Sequence, residues 1–352
     1  MTEFDVAVVG GGPAGSTVAA LTAKAGLRTV LIDRANFPRE KVCGDCLNPG
    51  CRDIFDQLGV ISEIAALPSA RLQWVAFTNI RGRGIEHRFP IAGPPETGIR
   101  RSVLDHALIK NAEKAGVEIR QGEPVTGVGP GWIIRTGRRQ IKSKFLVAAD
   151  GRNSSVARFL GSFPSTRTDR VAYQTYFPDD RPSHVALELS QLGYMGMSTV
   201  GEGAVNLCIV ARPKKIEVLR LRISERFGLP TDQRWNRVAP LTRRPIETND
   251  QTLFYVGDAA RVVEPFTGEG IFYALKTGAL AAESIIGASR NGPQFRHRYA
   301  ERHGELYAGR LWINQLARLS VLHPAISSTC LEVLRFWPWP LDHLTRRVVG
   351  IA

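Results

Sequence analysis

Residues 4–15, Phe-Asp-Val-Ala-Val-Val-Gly-Gly-Gly-Pro-Ala-Gly, decide the fold of this chain. Residues 6–9 form a short apolar run, which is typical of a buried parallel strand. Gly10, Gly12 and Gly15 follow with the spacing G-x-G-x-x-G, and an apolar helical pattern comes next. In this arrangement the first glycine permits a tight turn, the second admits a pyrophosphate, and the third lets helix and strand pack closely. The stretch therefore predicts a dinucleotide-binding turn that opens a helix.

An acidic residue completes this motif. Residues 29–32 form a second apolar strand, and Asp33 follows it directly. A carboxylate about 20 residues beyond the glycines can accept hydrogen bonds from ribose hydroxyls. The helix N-terminus offers free N–H groups and a positive dipole end to phosphates. Ala14 and Arg34, which belong to the turn and to the strand end, are assigned to the same binding site.

Composition narrows the classes of function. The net charge of +13 is large, but the basic residues are scattered, so we do not expect nucleic-acid binding. Apolar runs stay below the ~18 residues of a membrane span; residues 270–288 come closest, but Lys276 and Glu283 interrupt them. The first strand begins within four residues, so no signal peptide is expected. Five cysteines, an odd and low number, favour a reducing, cytoplasmic compartment.

Three further motifs lie at predicted strand ends. Asp150 and Gly151 follow one apolar strand, and Gly257 and Asp258 follow another. Residues 265–271, Pro-Phe-Thr-Gly-Glu-Gly-Ile, form a second glycine loop before a long helix. Ligands of open α/β sheets bind outside the carboxyl ends of the strands. We therefore expect these motifs to converge on one cofactor.

The middle of the chain changes character and predicts an inserted sheet. Alternating patterns indicate antiparallel strands, with two outlying strands earlier in the chain. The predicted strands are 72–77, 85–89, 171–177, 184–189, 194–200 and 204–210. The predicted organisation is a cofactor domain of residues 1–70, 98–160 and 250–290, a substrate domain of residues 71–97 and 161–249, and a helical C-terminal segment of residues 291–352.

These motifs resemble the fingerprints of FAD-dependent oxidoreductases of the para-hydroxybenzoate hydroxylase class. Within that class, residues 41–45, Lys-Val-Cys-Gly-Asp, and residues 265–271 are most similar to the geranylgeranyl reductase group. The resemblance implies an α/β fold with a three-layer, Rossmann-like FAD-binding domain. It also implies an inserted antiparallel substrate sheet, a helical tail and noncovalent FAD.

The resemblance also assigns roles. It implies that Asp33 holds the adenosine ribose, Arg101 touches the phosphate or ribityl region, and Asp258 bonds the ribityl chain. The loop around Gly268 and Glu269 would face the flavin N1/O2 edge. The complete set of predicted cofactor-binding residues is Gly10, Gly12, Ala14, Gly15, Asp33, Arg34, Arg101, Asp150, Gly257, Asp258, Pro265, Gly268, Glu269, Gly270 and Ile271.

Cys43 and Cys46, in the sequence Cys-Gly-Asp-Cys, allow several interpretations. They could form a redox dithiol beside the βαβ unit, or simply occupy a tight loop. The resemblance instead implies that Cys43 lies over the flavin at the substrate cavity. By residue type, Cys43 and Tyr194 are the nearest candidates for a proton donor. Two cysteines cannot supply four ligands, so no metal is predicted.

The reaction itself stays open between three alternatives. They are reduction of a carbon–carbon double bond, NAD(P)H- and oxygen-dependent hydroxylation of an aromatic or quinone-type ring, and a non-catalytic electron carrier. The inserted sheet argues against the carrier. Geranylgeranyl reductases have Tyr-x-Trp-x-Phe-Pro in this sheet, where the present chain has Tyr194-Met-Gly-Met-Ser. A second G-x-G-x-x-G motif is absent, so NAD(P)H would dock transiently or another external donor would act.

The C-terminal segment has two interpretations. It mixes aliphatic residues with Trp337, Trp339, Arg346 and Arg347. A helix packed on the cofactor domain would explain this pattern, and so would a lid that faces a membrane and admits lipid. With the net positive charge, the second interpretation predicts a hydrophobic substrate and weak peripheral association with anionic membranes.

Overall fold

The computed structural model describes residues 1–89, 95–137, 139–165, 168–179, 183–292, 297–337, 339–340 and 343. The strands are β1 (Thr2–Val9), β2 (Thr29–Ile32), β3 (Cys46–Leu47), β4 (Ala70–Leu72), β5 (Trp74–Thr78), β6 (Gly84–Arg88), β7 (Glu96–Gly98), β8 (Glu118–Arg120), β9 (Val125–Gly129), β10 (Ile133–Thr136), β11 (Gln140–Ala148), β12 (Val171–Pro178), β13 (Val185–Leu189), β14 (Gly193–Thr199), β15 (Ala204–Ala211), β16 (Asn236–Val238) and β17 (Leu253–Tyr255). The helices are α1 (Pro13–Lys24), α2 (Arg52–Leu58), α3 (Ile61–Ala65), α4 (Arg101–Lys114), α5 (Ser155–Phe159), α6 (Ile216–Arg226), α7 (Gly270–Asn291), α8 (His297–Tyr307), α9 (Leu311–Leu322) and α10 (Pro324–Phe336).

The first sheet carries the cofactor motifs. Its order is β8-β2-β1-β11-β10-β9, and β17 also pairs with β11. β1 runs parallel to β2 and β11, and β17 runs parallel to β11. The register aligns Val9 with Ile32 and Ala148, and Ala148 with Tyr255, so the carboxyl ends of four strands meet at one edge. The motifs predicted to converge do follow these strand ends.

Helices cover this sheet. On one face α1 packs between α4 and α7, and the apolar side chains of β1 and β11 form a buried core with them. On the other face α5 packs against β9. By length and composition α7 could cross a membrane, contrary to the expectation that its charges would prevent this. In this fold, however, 61% of its apolar window is buried inside the protein, as in a core helix.

The second sheet is the inserted one. Its order is β16-β12-β15-β14-β13-β5-β6, and all its pairs are antiparallel except β13 with β5. The early hairpin of β5 and β6 therefore joins strands that lie about a hundred residues later, as predicted. Helix α6 packs on one face. A small third sheet, β3-β7-β4, was not predicted. The α/β fold class with an inserted antiparallel sheet and helical tail is confirmed.

Helix α4 begins without a side-chain cap. Ser102 is a residue type that often caps helices, but Arg100 occupies the N-cap position. Ser102 already has helical neighbours on both sides, whereas a capping residue must sit in an extended conformation before the first turn. The tail is helical through Phe336, as predicted. Arg346 and Arg347 lie outside the described residues.

Candidate cofactor and substrate site

A cavity of about 1410 Å³ joins the two large sheets. It exceeds the roughly 300–1,000 Å³ of a typical ligand pocket. One half, the cofactor half, is walled by the loops at the carboxyl ends of the first sheet. The other half, the substrate half, is walled by the second sheet and by α9 and α10. The predicted residues in the wall are Gly10, Gly12, Ala14, Asp33, Arg34, Cys43, Arg101, Asp150, Tyr194, Gly257, Asp258, Pro265, Gly268, Gly270 and Ile271.

The first glycine turn is built as its spacing predicts. Gly10 has a φ of 107°, and a Cβ there would overlap the carbonyl oxygen of Ala149. A Cβ at Gly15, behind the turn, would overlap the carbonyl oxygen of Gly10. Gly12 is different. Among the described residues, the atoms nearest to a Cβ there are guanidinium nitrogens of Arg39 and Arg101, at 3.7 and 3.9 Å.

The space above Gly12 is therefore open and bordered by positive charge. Arg101 is held by two hydrogen bonds of 2.8 Å to the buried Asp105, and Arg39 lies 3.1 Å from the same carboxylate. Lys41 lies nearby. Burial, followed by the positive charge of Arg101, lowers the pKa of Lys41 to about 8. Open space, cations and the N-terminus of α1 suit a pyrophosphate, so the residues fit the predicted FAD.

Asp33 and Asp150 line the cavity but also hold the backbone. The carboxylate of Asp33 accepts hydrogen bonds from the N–H groups of Gly11 (2.6 Å) and Ala35 (2.8 Å). One oxygen of Asp150 accepts from the N–H (2.6 Å) and hydroxyl (2.8 Å) of Ser155 at the start of α5. Each aspartate thus fixes the turn after its strand. Their contacts with FAD stay predictions.

The second glycine loop presents backbone to the cavity. A short 3₁₀ turn ends at Gly268, whose φ is 72°, and α7 begins at Gly270. The side chain of Glu269 is not in the cavity wall; it is buried and lies 3.3 Å from Arg310. Burial raises the pKa of this carboxyl. Gly268 and Gly270 of this loop therefore line the cavity, while the Glu269 carboxylate is turned towards the half-buried guanidinium of Arg310, which stabilises it.

Asp258, the predicted ribityl ligand, has a partner that the sequence did not indicate. Its carboxylate lies 3.0 Å from the guanidinium of Arg152, and both side chains line the cavity. The ion pair orients Asp258 beside Gly257, the end of the strand motif. Arg152 adds a further cation to the cofactor half.

The Cys43–Cys46 loop is fixed from the inserted sheet. Asn206 donates to the Cys43 carbonyl (2.8 Å), and the Ser198 hydroxyl donates to the Gly44 carbonyl (2.7 Å). Burial raises the pKa of the Cys43 thiol, although the Arg101 guanidinium opposes this. All five cysteines are free thiols, so Cys43 and Cys46 are not joined here. Cys43 lies in the cavity wall as a neutral thiol.

The substrate half is apolar. Tyr194 is buried there, edge-on to Phe266 with ring centroids 5.2 Å apart, and burial raises its pKa well above the usual value. Further apolar residues in this half are Val75, Phe77, Ala172, Val185, Leu187, Leu189, Val210, Leu241, Ile313, Leu316, Ala317, Leu331 and Leu334. Where the reductase group has Trp and Phe after the tyrosine, this chain has short or flexible side chains. Helices α9 and α10 supply the remaining wall.

Several side chains of this site were not predicted. Arg39, Asp105 and Asn206 belong to none of the motifs described above, and Ser198 ends the 194–198 stretch without an assigned role. Asp105 could have been found, because it lies four residues after Arg101 on one face of α4. Asn206 and Ser198 could not, because only the folded sheet brings them to the Cys43 loop.

Comparisons with known proteins agree with this geometry. The FAD binding domain family matches residues 3–208. A menaquinone reductase from Mycolicibacterium smegmatis is 31% identical over 317 residues, covering 80% of this chain and 76% of the relative. A geranylgeranyl bacteriochlorophyll reductase-like structure from Thermoplasma acidophilum superimposes with a TM-score of 0.80 and 25% identity, covering 98% and 92% of the two chains. The flavin-dependent brominase Bmp2 also has a TM-score of 0.80; at 22% identity, over 99% and 94% of the chains, it shows the shared fold alone.

Proposed function

The chain belongs to the FAD binding domain family and is an FAD-dependent oxidoreductase, and on this premise we propose that it reduces a carbon–carbon double bond in the isoprenoid part of a hydrophobic molecule. The observation that carries the proposal is the cavity, because it continues from the cofactor half into an apolar chamber without a break. Such a chamber suits a long hydrocarbon chain better than a small polar ring.

In this proposal FAD lies along the cofactor half. The N-terminus of α1, with Arg39 and Arg101, binds the pyrophosphate. Asp33 binds the adenosine ribose, Asp258 the ribityl chain, and the N–H groups after Gly268 the flavin edge. Bound FAD supplies two-electron redox chemistry. The chain's own residues bind the two molecules, orient them and exclude water from the chamber.

The comparisons support reduction over hydroxylation. One relative is a menaquinone reductase, and one structure is geranylgeranyl bacteriochlorophyll reductase-like. Menaquinone and geranylgeranyl groups both contain isoprenoid chains with double bonds. The shared fold by itself does not decide the reaction, since the brominase has it too. We therefore rest the choice on the apolar chamber together with these relatives.

Anaerobic flavin oxidation tests the proposal. The FAD-loaded enzyme is reduced with dithionite and mixed without oxygen with geranylgeraniol or a short-chain menaquinone. We expect the absorbance of oxidised flavin to return with geranylgeraniol but not with its fully saturated analogue. If menaquinone restores this absorbance and geranylgeraniol does not, the enzyme reduces the quinone ring. If only oxygen reoxidises the flavin, and an aromatic product carries a new hydroxyl, the hydroxylase alternative replaces the proposal.

For the electron donor we propose NAD(P)H in transient contact, or another external reductant. The support is that the chain contains a single G-x-G-x-x-G motif, which FAD occupies in this proposal. Anaerobic bleaching of the bound flavin by NADPH or NADH distinguishes the two. Without bleaching, a protein or another small reductant must supply the electrons.

We also propose that the protein works in the cytoplasm, at the surface of an anionic membrane. The support is a row of large exposed apolar side chains on and just after α9 and α10, the helices that wall the substrate half. These residues are Trp312, Leu316, Leu319, Ile326, Val333, Phe336, Trp337 and Trp339. Aromatic residues at headgroup level and a net charge of +13 favour such a surface.

Vesicle co-sedimentation tests the membrane contact. Phe336 and Trp337 are 84% and 70% exposed, and replacing both with serine should weaken binding to anionic vesicles several-fold. Leu221→Ser is the matched control, since Leu221 is 58% exposed on α6, away from this row. Wild-type binding should also fall as salt rises. If the wild-type protein does not bind at low salt, or if the double variant binds as well as the wild type, the membrane contact is refuted. The tail is then only a helical segment packed on the protein.

A further inference from the structure

Asp45 occupies an unusual position in the cavity wall. It lies between Cys43 and Cys46 with a left-handed φ of 57° and is fully buried. Its backbone carbonyl accepts a hydrogen bond of 2.9 Å from the N–H of Ile99. One carboxyl oxygen accepts a hydrogen bond of 2.5 Å from the hydroxyl of Tyr176. The other oxygen makes no hydrogen bond within the described residues. Strained residues that are held in place cluster at functional sites.

The surroundings keep this carboxyl protonated. Burial raises the pKa of Asp45 to about 8, although the Tyr176 hydroxyl and the positive charge of Arg101 both lower it. Glu40 raises it further. The titratable and charged groups near Asp45 are Glu40, Cys43 and Cys46 of its own loop, Arg101 of α4, Tyr176 of β12 and Cys208 of β15, with Arg100 stacked on the Tyr176 ring at 4.5 Å.

We propose that Asp45 is the catalytic acid of the double-bond reduction and that Tyr176 is its positioning residue. The inference rests on the proposed function. Reduction adds a hydride equivalent, taken from the reduced cofactor, to one carbon of the double bond. The proton on the free oxygen of Asp45 goes to the other carbon, leaving a saturated bond and a carboxylate. The Tyr176 hydroxyl then gives its proton to the Asp45 oxygen to which it is bonded and takes one from solvent, which restores both groups.

Asp45 suits this role better than the two donors chosen by residue type. Burial raises the pKa of Cys43 and raises that of Tyr194 well above its usual value, so both are weak acids here. An acid works best when its pKa lies near the working pH. Tyr176 is half-buried and its hydroxyl also accepts from Gln174 (3.0 Å), which continues the polar chain from Asp45 along β12.

Glu96 is the competing candidate. It too is buried in the cavity wall with an oxygen that makes no hydrogen bond in the described structure, and burial raises its pKa to about 8. It faces the like charge of Glu269, however, and no described hydroxyl donates to it. A proton that leaves Glu96 therefore has no relay comparable to Tyr176. The test must separate these two acids.

The pH profile of reductive turnover makes this test. Wild-type activity should fall above about pH 8, where the acid loses its proton. Asp45→Asn should lower turnover by about 10²- to 10⁴-fold, the usual contribution of an acid. Tyr176→Phe removes a bond that lowers the pKa of Asp45, so the alkaline limb should move to higher pH. Tyr173→Phe is the control, because its hydroxyl on the same strand donates to the exposed Glu217 (2.6 Å).

A second readout does not need turnover. The protonated carboxyl should give an infrared carbonyl band at pH 7 that Asp45→Asn removes and Glu96→Gln does not. An Asp45→Asn enzyme that keeps wild-type turnover and profile overturns the inference, while the reductase function stands. If Glu96→Gln, and not Asp45→Asn, removes the alkaline limb of the pH profile, the acid is Glu96. If Asp45→Asn fails to bind FAD, the Tyr176→Phe variant decides. An alkaline limb of its pH profile at the wild-type position overturns the inference. A wild-type enzyme that reduces no double bond refutes the proposed function, and the infrared band still reports whether Asp45 holds a proton.

Discussion

The cofactor half and the substrate half of the cavity are built in opposite ways. The cofactor half consists mainly of loops that follow strands of one parallel sheet, and its chemistry comes from glycines, backbone N–H groups and cations, among them Arg39, Lys41, Arg101 and Arg152. The substrate half is assembled from strands of the second sheet and from two helices near the C-terminus, and it is mainly apolar. The first binds through a few directional contacts, whereas the second binds through shape and hydrophobicity.

Because they are built differently, we expect that the two halves can be altered separately. In the cofactor half, a side chain added at Gly12 should by itself block the proposed pyrophosphate position. In the substrate half many side chains share the wall, so a single change should weaken binding without removing it. Variants of each half should therefore differ in FAD content and in turnover.

The largest effect is expected at Gly12 in the cofactor half. In Gly12→Val the side chain would enter the open space between Arg39 and Arg101, where we place the pyrophosphate. FAD content after purification should fall to nearly none, while the circular dichroism spectrum stays unchanged. Gly137→Val is the control, since this exposed glycine has open space around it. A yellow Gly12→Val protein with a normal FAD content would refute the placement.

A smaller effect is expected in the substrate half. Ala317 lies in the cavity wall on α9, and Ala317→Trp would fill part of the chamber. Overfilling a packed space costs about 1–3 kcal/mol, so affinity for an isoprenoid substrate should fall roughly tenfold to a hundredfold. FAD content should not change. Ala300→Trp, on the exposed side of α8, should change neither quantity. If Ala317→Trp loses FAD instead, the two halves are not separate.

The smallest effect is the pH dependence of FAD affinity. Because the pKa of Lys41 is lowered to about 8, its amine is charged below that pH and neutral above it. A pyrophosphate favours the charged amine, so affinity should be constant below pH 8 and fall at most tenfold per pH unit above it. Lys41→Met should bind FAD more weakly at pH 7 and lose this dependence. Lys142→Met, at an exposed ion pair, should retain it. Fluorescence quenching of FAD by the apoprotein measures both.

The sequence predicted the cofactor half better than the substrate half. The glycine turns, the strand-end aspartates and the helix starts are local, so their spacing was enough to predict them. The structure places Gly10, Gly12 and Arg101 at one edge of the sheet, although their contacts with FAD stay predictions. The direction of the Glu269 side chain was not predictable, because its partner Arg310 lies 41 residues later, in the turn before α9, and belongs to no recognisable motif.

In the substrate half the sequence predicted strands but not the chemistry of the wall. Tyr176 and Asp45 meet across 131 residues, and neither position has a spacing that links it to the other. The absence of Trp and Phe after Tyr194 was evident from the sequence, but the part of the wall that α9 and α10 supply was not. Such contacts depend on how the second sheet packs against the first.

The main question is whether the reaction adds hydrogen or oxygen to a hydrophobic molecule, and we propose that it adds hydrogen. The direct measurement is the mass of the product formed from geranylgeraniol by the dithionite-reduced, FAD-loaded enzyme, first without oxygen and then under ¹⁸O₂. We expect the product to gain two hydrogen atoms without oxygen and to contain no ¹⁸O. A product that forms only in the presence of oxygen and carries an ¹⁸O atom would contradict the account.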